Sequence, residues 1–76
     1  MYAQRALALA RRVGYRHGEG EALNRLGAAL RKSNLARSLE LFQQSLHIVR
    51  ATRDQALAAQ NLRSIGIIYM YLRDRR

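Results

Sequence analysis

Cysteine and proline are absent from this chain, acids are few, and no apolar run is long. Without cysteine there is neither a disulfide framework nor a thiolate metal site, which suits a reducing compartment; a cytoplasmic location is the expectation. No segment approaches the roughly 20 apolar residues of a membrane span. The five acids face fourteen bases, thirteen of them arginine, for a net charge of +9. Such an excess attracts nucleic acid, anionic membranes or acidic protein surfaces, and charge alone selects none of them. A GC-rich coding sequence produces the same preference for arginine over lysine. Enough apolar residues remain to fold: 49% of the 76 residues are hydrophobic, which marks one small globular domain rather than a disordered chain.

The apolar spacing predicts helices throughout. From Tyr2 to Val13 the chain is rich in alanine and leucine, with Ala3, Ala6, Leu7, Ala10 and Val13 as the buried stripe. Residues 1–18 hold Arg5, Arg11, Arg12 and Arg16 with no acid, superficially like an amphipathic organelle presequence, but the repeat described below accounts for them as an ordinary helix. Gly14 is placed to cap this helix, and the glycine-rich stretch 14–20 is expected to be a loose turn. A second helix is predicted from Gly18 or Glu19 to Lys32, burying Ala22, Leu23, Leu26 and Leu30, with acids in its first turn and Arg31 and Lys32 in its last. Ser33 and Asn34 break the pattern, and either can cap a third helix, Leu35 to Arg50. Leu35, Leu39, Phe42, Leu46 and Val49 form its stripe, Ser38 and Ser45 are small neighbours, and Leu41 and Ile48 widen the apolar face. Thr52 and Gln55 fit a capping box for a fourth helix, whose stripe is Ala58, Leu62, Ile65, Tyr69 and Leu72.

The chain also repeats itself. Leu23-Asn24-Arg25-Leu26-Gly27-Ala28-Ala29-Leu30 returns as Leu62-Arg63-Ser64-Ile65-Gly66-Ile67-Ile68-Tyr69, and the step from position 23 to position 62 is the period. A glycine within a helix costs about 1 kcal/mol against alanine, and its recurrence at one register predicts close approach of a second helix. At the same offset Ala6-Leu7-x-Leu9 matches Ser45-Leu46-x-Ile48, so the order is B-A-B-A: one second helix, one complete hairpin, one first helix. The predicted segments are 1–14, 18–50 and 53–73.

Leu23-x-x-Leu26-Gly27-x-x-Leu30, then Ser38-x-x-x-Phe42 and a small Ser45, resembles the tetratricopeptide repeat (TPR), and Leu62-x-x-Ile65-Gly66-x-x-Tyr69 does so more closely. The offset exceeds the family's period of about 34 residues, as in longer repeats of this kind in bacterial regulators, and the closing proline is missing; HEAT-type repeats, with a period of about 40–47, do not require the glycine. The resemblance implies an all-α fold, antiparallel helical hairpins stacked as a right-handed TPR-like α-solenoid of about four helices. It implies a non-catalytic protein–protein interaction module, a scaffold compatible with a place in a larger bacterial regulatory protein, whose concave groove takes a peptide or partner protein. By position the groove set is Glu21, Asn24, Ala28, Arg31 and Lys32, then Gln60, Arg63, Ile67, Met70 and Tyr71. Asparagine with arginine suits a carboxylate or a peptide backbone, and the resemblance together with the net positive charge leads to the expectation of an acidic segment. Solenoid ends without partners expose apolar surface, so self-association is also expected.

Little points to catalysis. Ser45 and His47 are two apart on one helix and do not face each other. His17 and His47 are expected at the surface with no third ligand at metal spacing, so neither metal nor cofactor is expected. The rival reading is a basic helical-repeat module binding RNA or DNA non-specifically, supported by Asn24 and Arg63 standing in register. No helix concentrates its arginines into one stripe, which favours the protein partner.

Overall fold

The computed structural model describes residues 2–12 and 14–74, which form four α-helices with no strand among them. α1 (Tyr2–Arg12) consists largely of alanine and leucine, which lose little side-chain freedom in a helix. Ala3 and Ala10 are buried and Ala6 and Leu7 half-buried, whereas Val13, the last expected member of the stripe, lies outside the described residues. Gly14 adopts the left-handed conformation at φ +69°. The Tyr15 N–H then reaches the Ala10 carbonyl at 2.8 Å, closing the helix in a way that glycine permits without strain.

α2 (Arg16–Leu30) begins and ends earlier than the sequence predicts. Gly14 completes the reversal by itself, so the Glu19 N–H already bonds to the Tyr15 carbonyl at 3.0 Å and most of the expected loose turn is helical. At the far end the Asn34 N–H bonds to the Leu30 carbonyl at 2.7 Å, which leaves Arg31 and Lys32 in the connecting turn rather than in the last helical turn. Asn34 caps α3 (Leu35–Thr52) as expected, its side chain accepting from the Arg37 N–H at 3.1 Å.

The predicted capping box at Thr52 does not form. Thr52 is the last residue of α3, and its hydroxyl donates to the Val49 carbonyl at 3.1 Å. Arg53 takes the left-handed conformation at φ 60° and ends α3. Asp54 caps α4 (Gln55–Asp74) instead, accepting the Leu57 N–H at 3.0 Å. Thr52 is unavailable because its hydroxyl already serves the helix it ends.

α4 is also turned from the expected orientation. Leu57, Asn61 and Ile68 are buried and Ala58 and Ile65 half-buried, whereas Leu62, Tyr69 and Leu72 of the expected stripe are exposed. The stripe is the one that α2 buries against α3, and no helix among the described residues covers it on α4. The core that does form has two parts. Ala3, Leu23, Leu26, Leu41 and Ile48 join the first three helices, and Leu46, Val49 and Leu57 join α3 to α4.

Each helix packs antiparallel to the next. Ser38 and Ser45 of α3 donate to the carbonyls of Gly27 and Gly20 of α2, both at 2.6 Å, which pairs the two helices in opposite directions. α2 and α4 therefore run parallel in a slab measuring 42 × 26 × 13 Å. The hairpin closes tightly at two glycines: a Cβ on Gly20 would lie 2.6 Å from Val49, and one on Gly27 3.1–3.2 Å from the Phe42 ring.

Candidate functional site: the α2–α4 groove

Parallel α2 and α4 are tied side by side by polar groups. Asn24 Nδ2 donates to Asn61 Oδ1 at 2.8 Å, Asn61 Nδ2 donates to Ser45 Oγ at 2.8 Å, and Ser45 Oγ donates to the Gly20 carbonyl. The chain of donors runs from α2 to α4 to α3 and back to α2. Asn61 and Ser45 are fully buried, and among the described residues no buried side-chain polar atom lacks a partner. A satisfied buried network of this kind fixes how its helices sit, because any other arrangement leaves polar groups unpaired.

A second tie closes one end of the groove. His17 Nε2 lies 2.6 Å from Asp54 Oδ2 and His17 Nδ1 lies 3.0 Å from Glu21 Oε1. Both ring nitrogens therefore face carboxylate oxygens, and a protonated imidazole donates to both. The backbone N–H of Leu57 holds the Asp54 carboxyl below its ordinary value of 3.8, with the His17 hydrogen bond adding to it. The sequence expectation of a solvated surface histidine is corrected here: His17 is half-buried and joins α2 to the cap of α4. His47 is exposed, and Ser45 is committed to the Gly20 carbonyl.

The groove holds one hollow of about 360 Å³ between these ties and another of the same size beyond the Asn24–Asn61 link, where the α2–α3 turn and the start of α3 face α4. One is polar and includes His17, Glu21, Asn24, Arg25, Asp54 and Gln60 in its lining. The other is formed by Arg31, Lys32, Leu35, Ile67, Ile68 and Tyr71, two cations beside an apolar surface. The structure thus brings Glu21, Asn24 and Gln60 together at one end and Arg31, Lys32, Ile67 and Tyr71 at the other. Ala28, Arg63 and Met70 are exposed and line neither hollow. On α4, Arg63 and Met70 stand to the outer side of the Gln60–Ile67–Tyr71 row, as helical spacing requires. Asn24, expected to offer its amide to a ligand, gives at least one N–H to Asn61.

Sequence reasoning missed Asn61, Asp54, Leu35 and Ile68. Asn61 is hidden by the repeat, since its counterpart one period earlier is Ala22, while the residue it actually meets is Asn24. The spacing Leu57, Asn61, Ile68 was the available signal, a stripe one position out of phase with the one the repeat suggests. Among the described residues no group of three histidine, aspartate or glutamate side chains is placed to hold a metal ion, and no helix is long and apolar enough to cross a membrane. Comparison with protein-family models, with curated proteins and with solved structures returns no match for this chain.

Proposed function

We propose that this chain is a non-catalytic protein-interaction module of the tetratricopeptide kind, and that its α2–α4 groove receives an extended acidic segment of a partner protein. The observation that carries the reading is the asymmetry of the groove. Arg31 and Lys32 flank the apolar surface of Leu35, Ile67 and Ile68 at one end, while Glu21 and Asp54 stand at the other. An acidic group beside an apolar side chain complements the first hollow, because guanidinium and ammonium groups are multiple donors to an anion. The second hollow, whose carboxylates are already paired with His17 and Arg25, offers no such pair of free cations beside an apolar surface, and this difference gives the bound segment one direction. Parallel α2 and α4 separated in sequence by α3, together with the recurrence of the glycine motif after one period, support the hairpin stacking of that family.

Titration of a labelled acidic peptide ending in an apolar residue tests the reading. Arg31→Glu is expected to weaken binding by about 1–3 kcal/mol, the range for loss of a hydrogen bond to a charged group. Arg63→Glu and Arg37→Glu are expected to do much less, since Arg63 lines neither hollow and Arg37 lies on α3, paired with Glu40 at 2.8 Å. Binding of RNA or DNA with steep salt dependence, and equal losses from all three arginines, would overturn the reading in favour of a non-specific nucleic-acid module.

A further inference from the structure

The positions that seat α2 have apolar counterparts one period earlier, at the other end of the chain. A Cβ on Gly20 would lie 2.6 Å from Val49, 3.5 Å from Ile48 and 3.9 Å from Leu57. The Gly20 carbonyl accepts from Ser45, and Asn24 donates to Asn61. Ser45, Ile48, Val49, Leu57 and Asn61 therefore form a nook between α3 and α4 into which α2 fits. Counting back one period from each gives Ala6, Leu9, Ala10, Gly18 and Ala22. All five line a single hollow of about 290 Å³ between α1 and α2. None has a polar side chain, and Leu9 is 59% exposed where its counterpart Ile48 is 6% exposed.

The helix that matches such a seat is α4, the repeat image of α2. Ala59 stands for Gly20, Leu62 for Leu23 and Gly66 for Gly27. Leu23 is 1% exposed and shares a core cluster with Ile48, whereas Leu62 is 50% exposed. Gly27 lies under the Phe42 ring, whereas nothing lies within 4 Å of a Cβ on Gly66. We propose that α4 of one copy docks in the α1–α2 hollow of a second copy, joining the chains head to tail with Leu62 of one against Leu9 of the next. The contact continues the α2–α3 interface by the repeat that built it. Charge agrees with this pairing: Asn24 and Gln60 line one hollow inside the chain, and their images are Arg63 and Glu21. The joint sets a cation of one copy beside a carboxylate of the next, and Arg25 at the same rim is already 3.9 Å from Glu21. A head-to-tail contact uses two different surfaces, so each added copy leaves one of each open and growth does not stop at two.

Sedimentation of the 76-residue chain and two variants tests this. The wild-type mass is expected to climb past two copies as concentration rises, more so in salt, which screens the repulsion between +9 chains. Leu62→Asp and Leu9→Asp each block one surface. Both positions are exposed, so helical circular dichroism is expected to be unchanged. Either variant alone is expected to lose about tenfold or more in association constant, about 1.4 kcal/mol. An equimolar mixture of the two retains one good pair of surfaces and is expected to form a complex that stops at two. A wild-type monomer at the highest attainable concentration overturns the proposal. So does a Leu9→Asp variant that still dimerises by itself, which identifies a symmetric α4–α4 contact instead, and so does a mixture that stays monomeric.

Discussion

Gly27 and Gly66 occupy the same register of the same motif, yet they meet opposite surroundings. Gly27 is covered by Phe42, and its carbonyl accepts the Ser38 hydroxyl. Gly66 faces open space, with Leu62 and Tyr69 half-exposed on either side. Both motifs share the pattern apolar-x-x-apolar-Gly-x-x-large and form the same kind of helix, although only the first leucine and the glycine are identical. What differs is the helix that follows: α3 covers this face of α2, and among the described residues nothing covers the corresponding face of α4. A repeat motif therefore records the contact its helix is built to make, not the contact that it makes in a particular place.

The sharpest way to break this comparison is to fill both glycines. Gly27→Leu is expected to destabilise by about 1–3 kcal/mol or more, because the Phe42 ring has no room for the added carbons. Gly66→Leu is expected to cost nothing and, through helix propensity, to gain up to about 1 kcal/mol. Urea unfolding of the two variants measures the difference, and equal losses would show that Gly66 is covered after all.

A second contrast sets the polar seat of α2 against its apolar image. Asn61→Ala removes the amide that links Asn24 to Ser45 in a fully buried place, and a loss of about 1–3 kcal/mol is expected in the same unfolding assay. Ala22, the repeat counterpart of Asn61, supports no such network, although it is equally well buried. Its replacement by serine is expected to cost less than the loss of Asn61.

The smallest effect concerns the caps of the two equivalent helices. Tyr15 begins α2 with no side-chain cap, whereas Asp54, its counterpart one period on, caps α4. A carboxyl that titrates lower in the folded chain than in the unfolded one adds stability that is complete above its ordinary value. That stability is lost as pH falls through the lower folded value. Asp54 is such a group, with an ordinary value of 3.8. Asp54→Asn is expected to flatten the acid limb of the stability profile. His17→Ala is expected to move the Asp54 carboxyl only part of the way back, since the Leu57 N–H, the larger cause, stays in place. Carbon-detected NMR titration of the Asp54 carboxyl reads both shifts, and a full return in His17→Ala would make the histidine the dominant partner.

Much of the fold was legible in the residues. The four helices, the Gly14 closure, the Asn34 cap and the buried serines Ser38 and Ser45 all follow from local conformation and helical spacing. The candidate site was legible by halves. Arg31, Lys32, Ile67 and Tyr71 do meet in one hollow, but Arg63 stands to one side of it, because a small rotation of α4 about its axis carries a side chain out of the groove. Thr52 and Asp54 both have capping chemistry, and only the left-handed turn at Arg53 decides between them. His17 looked like a surface residue because its partner Asp54 lies two helices away along the chain.

The amino-acid sequence by itself determined where helices form and which residues have an apolar face to bury, because both depend on neighbours within a turn or two of helix. Only the tertiary structure decided which of those faces is covered, that Asn61 is the buried link among three helices, and that the groove divides into a basic apolar end and a polar one of mixed charge. Those outcomes depend on which helix packs beside which, and burial is a property of the pair rather than of either sequence alone.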